Sequence, residues 1–243
     1  MSAAEGGAER PAPSRAPRRR RLGGFGETVL ILVLALVLSL IIKTFLVQAF
    51  SIPSGSMENT LLVGDRVLVS KLTPGVFDLH RGDVVVFKDP GGWLPPAEGQ
   101  TGLPHVMTSV LTFIGLMPQD AGEHLIKRVI GLPGDTVTCC GADHKLRVNG
   151  VPITESYVMQ GNEPSEQPFT VTVQPGHLWV MGDHRAESMD SRFHRDMGDD
   201  GQVPIGNVVG KAFAVVWPLS RFGGVSEPPD VFAKVPAPAH ASP

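Results

Sequence analysis

The sequence predicts a mainly β protein behind a single N-terminal membrane helix. Three observations predict it. Residues 28–42, TVLILVLALVLSLII, carry no charge. Beyond them, short runs of β-forming residues recur between Gly- and Pro-bearing turns. Glycine (28) and proline (22) together make about a fifth of the 243 residues, which argues against an all-helical bundle because both destabilise helix interiors.

Charge divides the chain. Residues 1–26 carry six Arg and two Glu, a balance of +4; residues 27–50 balance to zero; the remainder carries −7. The basic head is Pro-rich, ends in Arg18–Arg21, and reads as a disordered cytoplasmic segment. An acidic body excludes a general nucleic-acid binder. Two cysteines are too few for a disulfide framework.

The apolar run extends to Phe50, interrupted by Lys43 and Gln48. As a helix, residues 28–50 would reach about 34 Å, enough for a hydrocarbon core of about 30 Å. Residues 27–50 are therefore read as a transmembrane anchor. Lys43 is near enough to its end to snorkel. The Arg residues before the run hold that end in the cytoplasm and put the body outside. A cleaved signal peptide competes with this reading, because Val47-Gln48-Ala49 places small residues at the two recognition positions. The run exceeds an ordinary signal-peptide core in length, which favours an uncleaved anchor.

Residues 51–222 form the extracytoplasmic body. Strands are expected at Arg66–Ser70, Asp83–Lys88, His124–Ile130, Thr136–Cys139, Leu146–Val148, Leu178–Met181 and Val208–Trp217. Asn149-Gly150 between two β-forming triplets is a type I′ hairpin signal. No βαβ alternation exists, so antiparallel sheets are expected. Residues 91–122 look like an insertion, and its apolar stretch 106–117 is too short to span a bilayer. Residues 223–243, rich in Pro and Ala, read as a flexible tail. Trp93, Trp179 and Trp217 suit a lipid interface, with core packing the better reading for Trp179 and Trp217. Cys139-Cys140, outside the cell, can form a vicinal disulfide or stay as two thiols.

His177, Asp183, His184, His194 and Asp196 cluster in sequence without a recognised metal-ligand spacing. No G-x-S-x-G elbow is present. The better signal follows the anchor: Phe50-Ser-Ile-Pro-Ser-Gly-Ser-Met-Glu-Asn-Thr-Leu61, a tight polar loop that can hold a nucleophile. Gly64-Asp65-Arg-Val-Leu-Val-Ser-Lys71 comes next, then His124-Leu-Ile-Lys-Arg-Val-Ile-Gly-Leu-Pro-Gly-Asp135, then Met181-Gly-Asp-His-Arg-Ala-Glu-Ser-Met-Asp-Ser-Arg192.

With these four blocks in this order behind an anchor, the chain resembles the bacterial type I signal peptidases, from about residue 28 to about residue 218. The resemblance implies an antiparallel β-sheet catalytic domain. It also implies a serine endopeptidase that removes N-terminal signal peptides from secreted preproteins after Ala-x-Ala, using a Ser/Lys dyad. It implies Ser56 as nucleophile and Lys127 as general base. Ser54 then helps form the oxyanion hole and Ser188 touches the base. Arg128, Asp183, Asp190 and Arg192 brace the site. Phe50, Ile52, Pro53, Leu61, Val67 and Ile126 resemble the family's pockets for small residues. No metal or cofactor is implied. The implied partners are preprotein signal peptides and membrane lipid, with contact to the secretion machinery. The chain departs from the pattern at His184, where Asn is common, and at Ala186, where an acid is common; both affect only bracing. Two other readings stand against this one: a membrane-tethered β-rich binding module without catalysis, and a self-cleaving repressor-type Ser/Lys protease, which the acidic body disfavours.

Overall fold

The computed structural model describes residues 24–95, 124–225 and 228–238. The expected basic head up to residue 23, and the insertion from residue 96 onward with its apolar stretch 106–117, lie outside the described residues. The described residues fall into two separate units, divided between Ser39 and Leu40.

Helix α1 runs over Gly24–Ile41 and continues through a wider turn at Ile42–Leu46. The 22 residues Phe25–Leu46 have a mean hydropathy of 2.9. Val29 to Leu38 leave large apolar side chains exposed, as expected of a helix that faces lipid. The helical run stops at Leu46, short of the expected Phe50. Val47–Ser51 instead form strand β1, whose apolar Val-Gln-Ala-Phe cannot be told by composition from the end of the anchor.

The body is built from antiparallel strands, as expected. The larger sheet runs in the order β1, β2 (Arg66–Ser70), β11 (Val208–Trp217), β3 (Val84–Lys88), β4 (His124–Gly131), β9 (His177–Met181), β10 (Val203–Pro204), with β12 (Gly223–Gly224) on β11. The smaller sheet runs β7 (Val151–Pro152), β6 (Arg147–Val148), β5 (Thr136–Cys139), β8 (Phe169–Thr172). Asn149 (φ 52°) and Gly150 (φ 79°) make the tight hairpin turn between β6 and β7. Cys139 and Cys140 are joined as a vicinal disulfide.

Strand β4 is flanked by β3 and β9, and from Ile126 to Gly131 every residue is buried. Burial on both faces explains why apolar and polar residues do not alternate along Leu-Ile-Lys-Arg-Val-Ile. One apolar cluster gathers Phe50, Ile52, Met57, Leu61, Val67, Val84, Val86 and Ile126 beneath the turn after β1. Another joins Ile130, Val137, Leu146, Val148, Phe169 and Trp179.

Two expectations are corrected here. Part of the expected tail is docked: Phe232 and Val235 are buried in the second cluster, and Arg81 donates to the carbonyls of Val235 and Pro236. Two apolar side chains and captured carbonyls offset the ordering of a Pro/Ala-rich stretch, and composition does not reveal this. Trp217, expected in the core, is 52% exposed at the end of β11, whereas Trp179 is fully buried. Trp93 is also buried and stacks on His194 with ring centroids 4.2 Å apart.

Candidate active site

The turn that carries Ser56 is held by its apolar neighbours. Strand β1 delivers Ile52 into the core, Ser54 stays extended (φ −130°, ψ 157°), and Gly55–Met57 form one turn of 3-10 helix. Met57 and Leu61 are fully buried, and the Leu61 N–H donates to the Met57 carbonyl (2.8 Å). The chain reverses at Gly64, whose φ of +90° disfavours any other residue, and the Gly64 N–H returns to the Ile52 carbonyl (2.9 Å). Asp65 accepts from the Leu62 N–H (2.9 Å) and pairs with Arg221. The result is a polar loop pinned to an apolar bed on both sides of the serine.

Lys127 comes from β4, opposite Val85 of β3. Its Nζ lies 2.5 Å from Ser56 Oγ, although 71 residues separate the two. Both side chains are buried. Burial pulls the amine from its ordinary 10.5 down to about 8; Asp190 and Asp183 oppose the shift and Arg192 adds to it. Ser54 Oγ lies 3.5 Å from Ser56 Oγ, and Ser54 is exposed where a substrate can meet it.

The last block supplies two ion pairs. Arg128 grips Asp183 with both ends of its fork, Nε to Oδ1 (2.8 Å) and Nη2 to Oδ2 (2.6 Å), and donates to the Gly82 carbonyl (2.7 Å). Asp190 is the second hub. It accepts from Arg192 Nε (2.8 Å) and Nη2 (2.9 Å), from the Gly182 N–H (2.9 Å) and from the Ser188 hydroxyl (2.7 Å). Burial raises the Asp190 carboxyl, but Arg192, the Gly182 N–H and Lys127 outweigh it and hold the group below its ordinary value. Arg128 therefore braces Asp183, while Asp190 and Arg192 brace each other. Ser188, expected to touch the base, donates a hydrogen bond to Asp190, since a carboxylate is a strong acceptor.

The six expected pocket residues separate. Pro53 is exposed. Leu61 and Val67 have no exposed surface and lie in the apolar cluster beneath the turn. Phe50, Ile52 and Ile126 keep a few per cent of their surface open. His177, Asp183, His184, His194 and Asp196 do not converge: no group of His, Cys, Asp and Glu suited to a metal exists among the described residues.

Five further residues belong to this neighbourhood. Thr60 Oγ1 donates to Asp183 Oδ2 (2.5 Å), and the Tyr157 ring lies 4.2 Å beneath the Arg128 guanidinium. Arg185, fully buried, forms a two-point pair with Glu155. A Cβ on Gly182 would strike both Ser188 Oγ and the Ser56 carbonyl. Thr60, Gly182 and Arg185 stand inside the sequence blocks already picked out. Glu155 and Tyr157 lie in a loop with no sequence signal.

A buried serine hydroxyl against a buried amine of lowered basicity defines a class, the hydrolases that work through an activated serine. The comparisons with known proteins agree. The family described as "Signal peptidase, peptidase S26" matches residues 25–217. A probable signal peptidase I of Mycobacterium leprae is 38% identical over 86% of this chain and 81% of its own. Signal peptidase I of Mycobacterium tuberculosis is 38% identical over 90% and 81%, and that of Leptolyngbya laminosa 33% identical over 90% and 93%. The chain belongs to the signal peptidase family, peptidase S26. It is a serine endopeptidase of type I that removes signal peptides, and the reading as a tethered module without catalysis falls.

Proposed function

We propose that Ser56 and Lys127 form the catalytic dyad with which this peptidase cuts preproteins after Ala-x-Ala, at the outer face of the membrane that its N-terminal helix spans. The observation that carries the reading is the 2.5 Å contact between Lys127 Nζ and Ser56 Oγ in a buried setting. An amine with a pKa of about 8 is neutral in about a tenth of molecules at pH 7, against less than about a thousandth for a solvated lysine.

In the cycle, neutral Lys127 takes the Ser56 proton as Oγ attacks the scissile carbonyl. The Ser56 N–H and the Ser54 hydroxyl hold the oxyanion. The lysine ammonium then gives its proton to the departing amine, and the C–N bond breaks. Lys127, neutral again, takes a proton from water, whose oxygen attacks the acyl-enzyme, and the proton returns to Ser56 Oγ as the ester opens. Arg128, Asp183, Asp190 and Arg192 hold the loops in register. Ser188 acts through Asp190, the carboxylate nearest in role to the base. Phe50, Ile52 and Ile126 line shallow pockets in front of Leu61 and Val67, so that Ala fits and larger side chains overpack.

Six Arg before the helix orient the N-terminus to the cytoplasm and the body outside. Confinement of enzyme and preprotein to one bilayer, in contact with its lipid, raises their encounter rate. A preprotein arrives there from the secretion machinery. Retention of the anchor fits β1, since cleavage after Ala49 would sever a strand paired from Val47 to Ser51 with β2.

The test is cleavage of a labelled preprotein by the purified full chain. Ser56→Ala and Lys127→Ala are each expected to lose at least about 10⁴-fold in kcat while staying folded. Wild-type turnover in either variant would remove that residue from the dyad.

A further inference from the structure

The 182–192 loop holds the carbonyl of Ser56. The His184 N–H donates to it (3.1 Å), and Gly182 packs so closely that a Cβ would collide with the same oxygen. The His184 side chain continues this contact. The residue is 8% exposed, and its Nδ1 has no hydrogen-bond partner among the described residues. Glu58 Oε2 stands 3.4 Å from that nitrogen and Glu187 Oε2 3.9 Å from it. Glu58 belongs to the serine's own turn. Its N–H donates to the Gly55 carbonyl (2.9 Å), and its carboxyl lies over Gly55, where a Cβ would sit 3.1 Å away.

A buried ring nitrogen without a partner is costly. A separation of 3.4 Å is slightly beyond an ordinary hydrogen bond. A small inward movement of either segment makes that bond, and catalytic contacts often tighten when substrate is bound. The movement would draw the Glu58 end of the serine turn toward the loop that already holds the Ser56 carbonyl.

We propose that His184 is a positioning residue, and that its imidazole and the Glu58 carboxylate form a clamp that closes over Gly55 and fixes Ser56 against Lys127. This rests on Ser56 being the nucleophile. The clamp acts on the turnover step, because Glu58 belongs to the serine's own turn, His184 belongs to the loop whose N–H holds the Ser56 carbonyl, and the apolar pockets are left alone.

The experiment is a double-mutant cycle on the full chain, with kcat and KM measured on a labelled preprotein at about pH 9, where most of Lys127 is neutral. His184→Ala and Glu58→Ala are each expected to lower kcat about 5- to 10-fold, as for one hydrogen bond, with KM within about twofold. The double variant should be no slower than the slower single variant, since one contact is lost once. His184→Asn, whose amide can donate to the same carboxylate, should recover kcat to within about twofold of wild type. Thermal unfolding of the four variants separates lost positioning from lost folding. Unchanged kcat in Glu58→Ala, additive losses, a loss confined to KM, or equal loss in His184→Asn would each overturn the clamp. Ser56→Ala runs in the same assay. If it is active, the nucleophile assignment fails; if it is inactive while Glu58→Ala keeps full kcat, only the clamp fails.

Discussion

Lys127 and Arg128 are neighbours on one strand, almost equally buried, in opposite surroundings. The guanidinium of Arg128 meets both oxygens of Asp183, the Gly82 carbonyl, Thr60 Oγ1 and the Tyr157 ring. The amine of Lys127 meets a serine hydroxyl. An arginine cannot shed its charge inside a protein, so its site must supply counter-charge and acceptors. A lysine can become neutral, so the same depth of burial lowers its basicity instead. The chain has built one region that fixes a charge beside another that expels one. The two carboxylates that act on the amine are already paired, Asp183 with Arg128 and Asp190 with Arg192.

The most severe way to break this contrast is to make the two regions alike. Lys127→Arg keeps a cation on β4 but removes the capacity to accept a proton. Preprotein cleavage is expected to fall by at least about 10⁴-fold at any pH from about 6 to 10, as for loss of a general base. Recovery of activity at high pH in this variant would show that the site needs charge at residue 127 and not a base.

Removing the fixed charge should act on stability first. Arg128→Met leaves Asp183, fully buried, with the Thr60 hydroxyl as its remaining side-chain donor. Breaking a buried pair from one side costs about 3–5 kcal/mol. Urea denaturation of the full chain should show that loss. A shift of the midpoint too small to account for about 1 kcal/mol would mean that Asp183 takes up its proton or finds water at little cost.

A third effect is smaller and concerns the activity profile. With a base at about 8, kcat/KM should rise about tenfold per pH unit below that value and level off above it. A profile flat from about pH 6 to 9, with chemistry limiting, would exclude a lysine base.

Much of the β framework is legible before any coordinates, since its strands are short, rich in Val and Ile, and fenced by Gly and Pro. What escapes has physical causes. Strand β1 hides behind the anchor because apolar residues suit both a lipid-facing helix and a buried strand. The docked stretch around Phe232–Pro236 hides in a Pro/Ala composition, since its order comes from Phe232, Val235 and the reach of Arg81. The site is legible only in part. Ser56 and Lys127 stand out through the ordered blocks, and no local pattern joins them; on an alternating strand a lysine would face water. β4 is buried from Ile126 to Gly131 on both faces, which leaves Lys127 no side open to water, and that is a property of what packs over the sheet. Glu155, which neutralises Arg185, is one carboxylate in an ordinary loop and becomes informative only through distance.

The contrast between the two cations has a consequence for folding itself. In the unfolded chain Lys127 keeps its ordinary value near 10.5; folding lowers it to about 8. Above the higher value both states are neutral at this position, and burial there carries no charge penalty. As pH falls, the unfolded chain binds a proton first, and stability declines until the folded state binds one as well, near 8. The full difference is worth about 3 kcal/mol. Lys127→Met has similar bulk and no proton to bind, so the stability of wild type relative to this variant should improve by about 3 kcal/mol between about pH 7 and pH 10.5. Subtracting one protein from the other removes every titration they share. A difference that stays constant across the window would mean that the folded amine is as basic as the unfolded one. The chain would then have to neutralise Lys127 on substrate binding, when a signal peptide displaces the last water from the cleft.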